Sequence, residues 1–90
     1  MAISTKLDEA GILRVSSLYK YFGQKQAVRG IDFSMQTGEI LGLLGPNGAG
    51  KTTTFYMIVG FYRPTQGEVF CDGKCITKFP MYKRAHMGIS

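Results

Sequence analysis

Ile40-Leu41-Gly42-Leu43-Leu44-Gly45-Pro46-Asn47-Gly48-Ala49-Gly50-Lys51-Thr52-Thr53 is the stretch on which the fold turns. Its first five residues are a continuous apolar run without alternation, the pattern of a strand covered on both faces, as in a mostly parallel sheet. Residues 45–52 then fit G-x-x-x-x-G-K-[ST], in which glycines let successive backbone N–H groups turn inward around phosphate oxygens with no Cβ in the way. From Lys51 the pattern reads as a helix to about Val59, with Gly60 as its C-terminal cap and Pro64 preventing resumption. The unpaired N–H groups and the positive dipole end of that helix point at the same phosphates. Lys51 is placed to reach the β and γ phosphates, the Thr52 hydroxyl to ligate Mg2+, and Thr53 to donate one further hydrogen bond. A strand, a glycine-rich turn and a helix apolar nearly all round, with a threonine-rich first turn, predict an α/β domain built around a nucleoside triphosphate site, ATP being the expected ligand.

Working outward toward the N-terminus, residues 31–36 alternate cleanly, with Ile31, Phe33 and Met35 on one face and Asp32, Ser34 and Gln36 on the other, as in a half-buried strand. Residues 12–18 read as a second strand, and the turn around Gly23 pairs the two antiparallel. Working toward the C-terminus, residues 68–71 and 74–77 flank Asp72-Gly73, a dipeptide suited to the positive φ angles of a two-residue hairpin turn. Pro80 opens a short helix through Met87, and Gly88, Ile89 and Ser90 read as the start of another strand. Residues 1–11 are a polar leader, and residues 12–90 one incomplete domain.

Composition narrows the class. Ninety residues bury a limited fraction of their surface, which suits a part rather than a whole. The net charge of +5 comes from eleven Lys and Arg scattered along the chain, without the polybasic run that marks a nucleic-acid or membrane-surface partner. Cys71 and Cys75, with His86 as the sole histidine, cannot complete a tetrahedral zinc site and read as free thiols of a reducing compartment. No apolar leader and no twenty-residue apolar stretch is present, so a cytoplasmic location is expected, with membrane association only through partners.

The residues 45–53, with Pro46-Asn47-Gly48-Ala49 inside the loop, resemble the Walker A loop of ATP-binding cassette (ABC) ATPases, and the resemblance extends over nearly the whole chain from Ile12. Leu18, Lys20, Phe22 and Gly23 look like that family's A-loop, which implies that Phe22 stacks on adenine; Tyr21 is the competing choice. Taken alone, an exposed aromatic in a turn is a base-stacking platform less often than a core residue; the resemblance reverses that order for Phe22. The sequence Pro64-Thr65-Gln66-Gly67-Glu68 and the Asp72-Gly73 hairpin look like the family's usual sequel. Within the family, residues 42–60 and 84–89 are similar to the ATPases of bacterial lipopolysaccharide exporters, with branched-chain amino acid transporters as near relatives. The resemblance implies ATP and Mg2+ as ligands, a second ATPase subunit in a two-ATP head-to-tail dimer, transmembrane permease subunits, and a place on the cytoplasmic face of the membrane.

No catalytic residue is identifiable. The family's Q-loop glutamine, signature motif, Walker B aspartate with its glutamate, and switch histidine have no match here. Asp72 precedes Gly73 rather than Glu and reads as a turn residue; His86 reads as a helical surface side chain; Gln24, Gln26, Gln36 and Gln66 lie in the wrong contexts for the Q-loop. The chain therefore reads as the first third of an ABC ATPase, ending before the Q-loop, with ATP binding at most and no hydrolysis of its own. A non-enzymatic or non-folding fragment, and a P-loop ATPase of a non-transport ABC protein, are the rival readings.

Overall fold

The computed structural model describes residues 11–44 and 49–89. Elements follow in the order β1 (Ile12–Phe22), β2 (Lys25–Gln36), a 3-10 segment (Thr37–Leu44), α1 (Ala49–Val59), β3 (Gln66–Cys71), β4 (Lys74–Cys75) and α2 (Met81–His86). The strands form one antiparallel sheet in the order β2-β1-β3-β4. The α/β class is as expected, and so are the pairing of the first two strands about Gly23 and the alternation of β2, whose Ile31, Phe33 and Met35 are half-buried between exposed neighbours.

Strand β1 is central and sets the register of its neighbours. Leu13 and Val15 face the core, but the next core residue is Leu18, because the ladders slip between Val15 and Leu18. Ser17 takes a left-handed conformation at this slip, φ 48°, and its N–H donates to Asp32 Oδ1 at 2.9 Å. Gly67 of β3, at φ +97°, packs so closely on the Ser17 carbonyl that a Cβ there would overlap it.

Helix α1 lies over the sheet with Phe55, Met57, Ile58 and Val59 buried against Leu13, Leu18, Val69 and Ile76. It ends as the sequence predicts. Gly60 turns at φ +98°, and the Tyr56 carbonyl accepts from the N–H groups of Gly60, Phe61 and Tyr62 at 3.2, 2.8 and 3.1 Å. The Asp72-Gly73 hairpin also forms as read, with φ 52° and 83°. Strand β4 is shorter than the expected residues 74–77, because the Thr77 hydroxyl, rather than main chain, accepts the Val69 N–H at 2.9 Å.

Two expectations fail. Residues 40–44, read as a strand, belong to the 3-10 segment Thr37–Leu44. Among the described residues no strand lies beside them, and an unpaired strand leaves every backbone donor and acceptor of the run without a partner; a 3-10 coil closes its own bonds. Glu39 Oε1 accepts from the Gln36 N–H at 3.1 Å and caps the turn. The strand expected from Gly88 is absent through Ile89, whose N–H returns to the Arg84 carbonyl at 3.0 Å with its side chain buried; Ser90 lies outside the described residues.

Arg84 locks the two helices. It is 2% exposed, and its guanidinium donates to four main-chain carbonyls: Met57 and Ile58 at 2.8 Å, Thr77 at 2.7 Å and Phe79 at 2.9 Å. Burial lowers its pKa, partly offset by Cys75 nearby. The cation sits on the last carbonyls of α1, where the helix dipole favours positive charge.

Candidate nucleotide-binding site

The residues predicted to cradle phosphate divide at the start of α1. Gly45, Pro46, Asn47 and Gly48 lie outside the described residues, and Ala49 opens the helix. Gly50 follows on the side facing β2, where a Cβ would come 3.3 Å from the Ala27 carbonyl oxygen. That tight contact excludes any larger residue without a shift of β2. Lys51 is exposed and makes no hydrogen bond or ion pair with a described residue. Thr52 is half-buried and Thr53 buried. The Thr54 hydroxyl turns back to donate to the Gly50 carbonyl at 2.7 Å. A cleft of about 510 Å3 opens beside Lys51, lined by Ala27, Arg29, Phe33, Leu43, Gly50 and Thr54 among others.

The donor set suits a triphosphate: a cation on the first turn of a helix that is unpaired among the described residues, a hydroxyl beside it, and a glycine that lets helix and sheet approach. Phe22 and Tyr21, the two candidates for base stacking, end β1 at the hairpin and are 42% and 40% exposed. They differ in support. Phe22 meets Tyr62 edge-on at 5.2 Å, whereas the Tyr21 hydroxyl accepts from Gln26 Nε2 at 2.8 Å. Tyr62, beside Phe22, was not singled out from the sequence, since it is distant along the chain and nothing local marks it. His86 is exposed and edge-on to Tyr82 at 6.4 Å, as a surface side chain, and Asp72 is a turn residue whose Oδ1 accepts from the Ile12 N–H at 2.8 Å. Cys71 and Cys75 are free thiols, the first buried and the second exposed.

An antiparallel sheet backing a helix that begins Ala-Gly-Lys-Thr fits part of an α/β P-loop NTPase domain. Comparison with known proteins narrows the class. The family model described as ABC transporter matches residues 28–90. The lipopolysaccharide export system ATP-binding protein LptB of Acidithiobacillus ferridurans is 50% identical over 87% of this chain and 32% of its own length. A probable ABC transporter ATP-binding protein of Azorhizobium caulinodans is 48% identical over 88% of this chain and 28% of its own. A solved ATP-binding cassette of an ABC transporter in its ADP conformation superposes with a TM-score of 0.69 at 33% identity, over 83% of this chain and 30% of that one. The chain belongs to the ABC transporter family. It spans about a third of the length of the curated relatives it matches. Among the described residues, no helix is long and apolar enough to cross a membrane.

Proposed function

We propose that residues 12–90 form the N-terminal part of a single ATP-binding domain whose full-length protein hydrolyses ATP to drive export through membrane subunits, with lipopolysaccharide as the cargo. The observation that carries the nucleotide reading is Lys51, exposed and unpaired among the described residues on the first turn of α1, directly after a glycine-rich loop and a glycine pressed on β2. Gly45, Pro46, Asn47, Gly48, Ala49, Gly50, Lys51, Thr52 and Thr53 hold the phosphates, Thr52 holds Mg2+, and Phe22 stacks on the base. Bound Mg2+ neutralises phosphate charge; the residues of this chain bind and orient the nucleotide. The cargo follows from the similarity to LptB, which the Azorhizobium relative leaves unspecified.

In the full-length protein, two such ATPase subunits face each other and dock on permease subunits at the cytoplasmic side of the membrane. Phosphoryl transfer needs a positioned water and charge-stabilising groups besides the cradle, and these ninety residues carry no candidate for them, so alone they bind ATP without hydrolysing it. Titration of Mg-ATP into the full-length protein by calorimetry, with Lys51→Ala as comparison, checks the reading. Saturable binding lost in Lys51→Ala supports it, and equal binding by both proteins refutes it.

A further inference from the structure

The exposed ring of Phe22 and helix α1 come from distant parts of the chain, and a run of aromatic rings joins Phe22 to the last turn of that helix. Phe22 meets Tyr62 at 5.2 Å between centroids, with ring planes at 73°, and Tyr62 meets Tyr56 of α1 at 5.3 Å and 76°. Tyr62 is fixed by its main chain, since its N–H donates to the Tyr56 carbonyl at 3.1 Å. Lys20 Nζ lies 5.2 Å from the Phe22 centroid and 5.6 Å from that of Tyr62, and donates to the Arg63 carbonyl at 2.8 Å. Two more bonds tie the end of β1 to the same loop: Thr65 N–H to the Tyr19 carbonyl at 2.8 Å, and Tyr21 N–H to Thr65 Oγ1 at 3.0 Å. A half-exposed ring near a hairpin tip has rotamer freedom to lose, and ordering it beforehand removes that loss from the binding step.

We infer that Tyr62 is a positioning residue for nucleotide binding. Its edge-on contact, anchored on the last turn of α1, holds the Phe22 ring so that the base platform and the phosphate end of α1 share one frame. This rests on the reading of Phe22 as the base platform. The effect is confined to ligands that carry a base, because the phosphate cradle lies at the other end of α1.

The test compares the full-length protein with its Tyr62→Ala, Tyr62→Phe and Phe22→Ala variants. Mg-ATP and Mg-tripolyphosphate are titrated by calorimetry, and the Phe22 ring signals are followed by NMR without ligand. Tyr62→Ala weakens ATP binding about tenfold, within the range for loss of a base–aromatic stack. It leaves tripolyphosphate affinity unchanged and moves the Phe22 signals. Tyr62→Phe restores both, since an edge-on contact needs the ring and not the hydroxyl. Equal ATP affinity in wild type and Tyr62→Ala overturns the inference, and so does a parallel loss for ATP and tripolyphosphate, which makes Tyr62 a structural residue of α1. If Phe22→Ala binds ATP like wild type while Tyr62→Ala still moves the Phe22 signals, the base-platform reading has failed and takes the inference with it, with the ring contact itself intact.

Discussion

Strand β1 and the segment Thr37–Leu44 are both rich in aliphatic residues, and they end in opposite ways. β1 pairs on both sides, with β2 and with β3, and its Leu13, Val15 and Leu18 are buried to within 1% of full burial. The 3-10 segment pairs with no strand among the described residues, buries Ile40 to 1% exposure and leaves Leu41 62% exposed. The difference lies in ladder partners rather than in hydrophobicity. A backbone with neighbours on both sides satisfies its donors and acceptors while extended, whereas one without them must coil on itself. A 3-10 run of eight residues has poorer hydrogen bonds than a ladder, so this segment is the weaker of the two.

Charge substitution at adjacent positions tests that contrast with the largest effect. Ile40→Asp places an unpaired carboxylate in the core and costs about 4 kcal/mol, while Leu41→Asp stays within about 0.5 kcal/mol of wild type in denaturant unfolding of the full-length protein. A large cost at both positions means that both faces of the run are covered, as the apolar pattern alone suggested, and the 3-10 arrangement does not hold in the full-length protein. Gly67→Ala sharpens the other side of the comparison. Its φ of +97° and its packing on the Ser17 carbonyl admit no Cβ, so a loss of about 3 kcal/mol is expected. A loss below about 1 kcal/mol shows that β1 and β3 tolerate a looser register than the structure has.

The smallest effect is a pH dependence inside β3. Burial pushes the Cys71 thiol above its ordinary 9.0, with the Asp72 charge adding to it. Below that value folded and unfolded chains both keep the proton. As pH rises past it the unfolded thiol ionises first, binds fewer protons than the folded one, and stability falls until the folded thiol titrates too. Unfolding free energy measured between pH 8 and 10, in wild type and Cys71→Ala, should show a decline in excess of the variant's. Identical slopes exclude Cys71 as the cause.

Much of the fold was legible because local signals agreed with it. Alternation in β2, glycine at the end of α1 and Asp72-Gly73 in its hairpin each act through neighbouring residues, so a window of sequence contains their cause. The Arg84 clasp was not legible: a basic residue in a polar helix gives no local sign that its guanidinium will close on carbonyls of α1. Of the candidate site, Lys51 and Thr52 were named from spacing and lie on the first turn of α1, while the neighbours of Phe22 and Tyr21, Tyr62 and Gln26, came only from the structure.

By itself the sequence determined the two hairpins and the span and end of α1, because each depends on dihedral preferences and periodicity over a few residues. Tertiary structure alone decided the slip in β1 at Ser17, the Arg84 clasp, the seating of Tyr62 against Phe22, and the coiling of residues 40–44. Those outcomes depend on which distant backbone supplies or withholds a hydrogen-bond partner, a quantity that no local window of sequence contains.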